Sequence, residues 1–192
     1  MELVDYMNNV KILQFGTLMI KGCIMPIPKN PTYNGDIIGY GRAEDICISN
    51  SVAGKDFLIN WIELAPDLYI ADRNLINNIS WNSLNDAGLV YGNKRLLIDG
   101  QYYALRLPSG SNGKPGEYGC GCHNEWDHMM DLCNEDDSLA HWYFMYNWCK
   151  EDHFEEPRNN IVRGLYPARE IMGFSSEFRN FDIGWRPVLQ RL

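Results

Sequence analysis

Hydrophobic and polar positions recur along this chain in short bursts, most of them too brief for a long helix and separated by glycine, proline or asparagine. "VKILQFGTLMIKG" (10–22) is apolar and β-prone, and it reads as two short strands interrupted near Gly16. The following "CIMPIPKNPTYNGD" (23–36) reads as an irregular connection, because proline lacks the amide that a strand ladder needs. "KDFLINWIEL" (55–64) and "DLYIADRNL" (67–75) carry the branched and aromatic side chains that fit a pleated, half-buried surface. The pattern then changes period at "SWNSLNDAG" (80–88). Ser80 suits an N-cap, Trp81, Leu84 and Ala87 recur at helical spacing, and Gly88 stands where a left-handed residue ends a helix.

"LLIDGQYYALRLP" (96–108) predicts a hairpin turning at Asp99-Gly100, a dipeptide that tolerates positive φ at both positions. "HNEWDHMMDLC" (123–133) predicts a helix capped by Asn124, with Trp126, Met129, Met130 and Cys133 on one face. "SLAHWYFMYNWCK" (138–150) is open between an amphipathic helix and aromatic strands. The chain returns to strand-like pieces at "NIVRGLY" (160–166) and "IGWRPVL" (183–189). Many short strands with two or three short helices define an α+β class.

Length and charge narrow the picture further. The 192 residues suit one domain, residues 1–192, with 1–69 as its β-rich N-terminal part, and an apolar fraction of 45% speaks against disorder. A net charge of −8 disfavours direct nucleic-acid binding, which needs an excess of cations, and suits contact with a basic protein surface. Met1 to Val10 lacks a basic stretch and no apolar run reaches bilayer length, so membrane insertion is not expected and a cytoplasmic location is. On that reading the acceptor-like "NIS" at Asn78 is not glycosylated, and the six cysteines are small apolar residues or free thiols.

The ordered set "ISW" (79–81), "LRLP" (105–108), "NEWD" (124–127), "RG" then "AR" (Arg163, Gly164, Ala168, Arg169) and "IGWRPVL" (183–189) resembles the formylglycine-generating-enzyme branch of the C-type-lectin-like fold. The resemblance runs from about Ile70 onward and marks Trp81, Arg106, Glu125, Trp126, Arg163, Arg169, Trp185 and Arg186 as its structural motif. It implies short twisted antiparallel strands and a closing β-region. There Trp185, Val188 and Leu189 would supply apolar contacts while Arg163, Arg169 and Arg186 hold turns and carboxylates through multidentate bonds. The closing pattern also resembles phage and prophage proteins of Gram-positive bacteria. Oxidase members of the family hold copper with paired cysteines late in the chain. No cysteine follows Cys149 here, so that activity does not carry over.

This chain departs from the family by inserting "SGSNGKPGEYGCGCH" (109–123) between its Arg-Leu-Pro strand and its Glu-Trp helix, a place where a stable scaffold can host new recognition. The candidate binding residues are Asn112, Lys114, Glu117, Tyr118 and His123 of this insert, with the aromatic pair Trp142 and Tyr143. Cys120, Cys122 and His123 are the densest potential zinc ligands, although "CGCH" lacks the repeated cysteine pair of structural sites. Asp131, Glu135, Asp136 and Asp137 could attract calcium, yet they lack the spacing and glycine of an EF-hand loop and read as a solvated turn. Cys149 and His153 would share a face of a helix and so form a thiolate pair, but the sequence supplies no third group.

No phosphate loop or nucleophile elbow occurs. The expected protein is therefore a binding protein without catalysis or cofactor, phage- or prophage-encoded. It docks on a host protein and blocks a nucleic-acid-handling defence complex. The alternatives are a virion-associated protein that recognises a receptor or cell-wall glycan, and a metal-dependent enzyme using Cys120, Cys122 and His123.

Overall fold

The apolar bursts become strands of two sheets in a computed structural model that describes residues 10–29, 43–52, 54–111, 124–153, 156 and 158–192. In chain order these are β1 (Ile12–Ile20), β2 (Cys23–Ile24), β3 (Ile46–Ser49), β4 (Leu58–Ala65), β5 (Leu68–Ala71) and β6 (Ile76–Asn77). Helix α1 (Trp81–Asp86) precedes the hairpin β7 (Tyr91–Ile98) and β8 (Gln101–Arg106), and α2 (Glu125–Cys133) and α3 (Asp137–Ala140) follow it. The chain closes with β9 (Tyr146–Asp152), β10 (Asn159–Gly164), β11 (Ile171–Ser175), β12 (Ile183–Trp185) and β13 (Val188–Arg191). The large sheet runs β2-β1-β4-β5-β13-β8-β7, with β3 also on β1, and the small one runs β11-β10-β9-β12-β6. Among the described strands all pairings are antiparallel except β9 with β12, so the class is α+β.

The expected break near Gly16 is a bulge inside one continuous strand. Register shifts between Phe15 and Thr17, Gly16 takes φ 70°, and its N–H donates to Ser51 Oγ at 2.8 Å instead of the ladder. The hairpin turn has both Asp99 (φ 49°) and Gly100 (φ 80°) left-handed, as a two-residue turn requires. Ser80 caps α1 by accepting from the Ser83 amide, and Asn124 caps α2 by accepting from the Asp127 amide at 2.9 Å. The open stretch 138–150 resolves into α3, an irregular corner and β9. "IGWRPVL" splits at Arg186-Pro187 into β12 and β13, which belong to different sheets.

Period-2 alternation sends neighbouring side chains of the large sheet to different cores. Trp61, Tyr69 and Leu189 join Leu18, Ile59, Leu105, Trp148 and Trp185 between the sheets. Ile62, Ile70 and Val188 pack instead against Trp126, Met129, Met130 and Cys133 of α2. Strands β1, β3 and β4, from the N-terminal third, thus share a core with the closing segment. Among the described residues no helix is long and apolar enough to cross a membrane.

Candidate functional site

Charged side chains fix the two roots of the insert, at 109–111 and at 124–125. Arg106, at the end of β8, meets the Glu125 carboxylate with two bonds of 2.7 and 2.5 Å. Ser109 and Glu125 exchange bonds: the Ser109 N–H donates to the carboxylate at 2.8 Å and the Glu125 N–H donates to Ser109 Oγ at 2.9 Å. Burial pushes the Glu125 carboxyl up, but Arg106 and the Ser109 amide outweigh it and leave the group below the usual carboxylate range. Gly110 lies so close to β9 that a Cβ would clash with Cys149 Sγ, and its N–H donates to Glu151 at 3.0 Å. Asn112, Lys114, Glu117, Tyr118, Cys120, Cys122 and His123 lie outside the described residues.

Behind these roots the structure buries two arginines. Arg163 is fully buried, pairs with Asp127 Oδ1 at 2.5 Å, and donates to the carbonyls of Gly110 and Arg169. Arg186 sits where the chain crosses between sheets. It donates to Asn147 Oδ1 at 2.8 Å and to the carbonyls of Ala140 (2.6 Å) and His141 (2.8 Å), with its guanidinium 5.2 Å from the Trp126 ring centre. Burial lowers its pKa to about 10, which still leaves it charged at neutral pH. Arg169 clamps Asp131 (2.5 Å) and Glu135 (2.6 Å). Trp81 donates to the Cys149 carbonyl, Trp126 donates to the Ala168 carbonyl, and Trp185 is buried between the sheets.

Trp142 and Tyr143 lie away from the described ends of the insert. Trp142 Nε1 donates to the Glu135 carbonyl beyond the C-terminal end of α2, whereas the insert's roots flank its N-terminal end. Nine residues of helix separate them by roughly 13 Å at 1.5 Å per residue. Tyr143 instead forms an aromatic ridge with Phe144 (ring centres 4.0 Å apart) and Tyr166 (5.9 Å). The three are 38, 49 and 69% exposed. The backbone beneath is strained, with His141 (φ 36°), Phe144 (φ 59°) and Leu165 (φ 81°) all left-handed, which costs about 1–3 kcal/mol each for residues with side chains. The Phe144 N–H donates to the Leu165 carbonyl at 3.0 Å, and the Asp137 carboxylate accepts from the Tyr143 amide at 2.7 Å.

The acidic turn borders this ridge and its carboxylates have protein partners: Asp131 and Glu135 on Arg169, Asp136 on the Ser138 amide, Asp137 on Tyr143. Among the described residues no group of three or more His, Cys, Asp or Glu is placed to hold a metal ion. Cys149 and His153 do not form the helical pair. Cys149 lies in β9, where four residues span roughly 13 Å, and burial pushes its thiol well above the ordinary cysteine range.

Two features carried no sequence signal. Arg73 holds Asp72 through bonds of 2.9 and 2.7 Å while donating to the Pro28 and Lys29 carbonyls and contacting His141 Nε2. An open cleft of about 620 Å³ separates β7 and β8 from β9, with Tyr91, Arg106, Lys150, Glu151, Asp152 and Gln190 around it. Burial raises Glu151 there to about 7, against the opposing pull of the Gly110 amide and Lys150. Comparison with protein families, with curated proteins and with solved structures finds no match to this chain.

Proposed function

We propose that this chain is a C-type-lectin-like binding protein without catalysis, which docks through the ridge Tyr143-Phe144-Tyr166 on a basic protein surface of the kind that normally holds nucleic acid. The observation that carries the reading is the ridge itself: three adjoining aromatic rings kept in solvent by strained backbone, where burial would be the ordinary fate of such area. Aromatic side chains are preferred anchors of protein interfaces. Asp136 and Asp137 beside them, which accept from neutral backbone amides, and a net charge of −8 supply electrostatic complementarity to a cationic groove. The likeness of the closing segment to phage and prophage proteins supports a host protein as the partner and interference with a defence complex as the result. Cys149 does not offer the exposed, low-pKa thiol that nucleophilic chemistry uses.

The test is capture from host lysate by the wild-type chain and by a Tyr143→Ala/Phe144→Ala/Tyr166→Ala variant with an unchanged unfolding midpoint. The reading expects one nucleic-acid-handling protein, captured stoichiometrically, displaced by duplex nucleic acid and by salt, and lost with the variant. Capture that survives the triple substitution, or that nucleic acid leaves untouched, removes it.

A further inference from the structure

The cleft behind the hairpin is a second site, on different elements from the ridge. It exists because β7 bulges: Tyr91 pairs with Arg106 but Lys94 pairs with the next residue, Leu105, leaving Gly92 and Asn93 as extra residues. Gly92 takes φ 83°, and a Cβ there would touch Ala104 Cβ at 3.6 Å, so the floor is made of the smallest side chains available. The bulge turns Tyr91 outward. Its ring rests against Trp81 (centres 6.1 Å apart, planes at 77°) and is 55% exposed, which provides a rigid aromatic wall.

The opposite wall is polar and pre-positioned. Asp152 accepts from Asn160 Nδ2 at 3.0 Å, Glu151 accepts from the Gly110 amide at 3.0 Å, and the Lys150 backbone N–H donates to the Pro108 carbonyl at 3.1 Å. Charges around the cleft nearly cancel. Arg106 is neutralised by Glu125, Lys150 offsets Asp152, and Glu151 is only partly ionised near neutrality. Neither an anion nor a cation is favoured by such a wall. It presents acceptors (Glu151, Asp152), a donor (Lys150) and a group that does both (Gln190), and the ligand group that answers all of these is a hydroxyl. A volume of about 620 Å³ falls in the range of small-molecule sites, about 300–1,000 Å³.

We propose that this cleft binds a neutral saccharide without a metal ion, with a sugar ring laid on Tyr91 and its hydroxyls bonded by Glu151, Asp152, Lys150 and Gln190. The Arg106–Glu125 pair positions the site from below by fixing the end of β8 to the start of α2. The site does not depend on the ridge, so each reading stands or falls alone.

The test is titration of the full chain, by calorimetry and by chemical-shift perturbation, with neutral tetrasaccharides: an N-acetylglucosamine oligomer representing cell-wall glycan, and α- and β-linked glucose oligomers representing storage and structural glucans respectively. EDTA is present throughout. Binding of one of these is expected, with the arm that binds naming the source. Tyr91→Ala should weaken it at least about tenfold, Tyr91→Phe should change it little, and the triple ridge variant should leave it intact. No binding by any arm, or equal binding by Tyr91→Ala, would overturn the proposal.

Discussion

The two faces of the large sheet solve the same burial problem by different means. Between the sheets, Phe15, Trp61, Tyr69 and Tyr103 interlock at ring-centre distances of 5.6 to 6.4 Å, within an apolar core drawn largely from strands, whose ladders satisfy their backbone. Around α2 the apolar residues are joined by Arg163, Arg186 and Asp127, which are buried and charged. The difference lies in the backbone. Segments 139–145 and 165–170 are mostly outside any ladder, and their carbonyls at Ala140, His141 and Arg169 take guanidinium N–H groups in its place. Charge is buried where irregular backbone needs several donors from one point.

Breaking that logic at Arg163 should have the largest effect. Arg163→Ala leaves buried Asp127 with only the longer cation contact, to Arg169 at 3.6 Å, and is expected to lower unfolding free energy by about 3–5 kcal/mol in a denaturant titration. Arg163→Lys should recover little, because an ammonium cannot reach Asp127 and two carbonyls in different directions. A fully stable lysine variant would mean that charge alone suffices, and the contrast between the faces would collapse. On the apolar face, Leu18→Ala should cost about 3 kcal/mol through its cavity, while the volume-conserving Ile59→Leu should cost less than about 1.5 kcal/mol.

Glu151 separates a compensated charge from an uncompensated one. Its pKa rises on folding from 4.5 to about 7, so the fold prefers the protonated form. That stabilisation is complete below pH 4.5 and is lost as pH climbs through 7, an upper bound of about 3 kcal/mol that partial exposure at the cleft reduces to about 2 kcal/mol. Glu151→Gln should therefore remove this fall and unfold at a higher temperature than wild type at pH 8, with little difference at pH 4. The smallest effect concerns neither face: Ser80→Ala should cost about 1 kcal/mol by uncapping α1.

Local chemistry was legible in the sequence and juxtaposition was not. Ser80, Asn124 and Asp99-Gly100 each act within a few residues, and each marks the element it predicts. Gly16 shows the limit, since a left-handed glycine signals an interruption but does not say that the ladder resumes in the same strand. The stretch 138–150 stayed open because α3 is four residues long and β9 begins only after two left-handed residues, which erases any single period. Trp142 and Tyr143 were visible as aromatics, but Tyr143's partner Tyr166 lies more than twenty positions on and reaches it through the pairing of Tyr143 with Leu165. The cleft was invisible for the same reason: Tyr91, Lys150 and Gln190 meet only when three separate strands assemble.

The position of β13 has a consequence for synthesis. It fills the gap between β5 and β8, so the last described strand to leave the ribosome joins two halves of a sheet whose other strands already exist. Until then both halves carry an open edge, at β5 and at β8, each able to recruit a foreign strand. Chains truncated before Val188 should be bound by chaperones and cut readily by proteases, and restoring Val188–Arg191 should end both susceptibilities together.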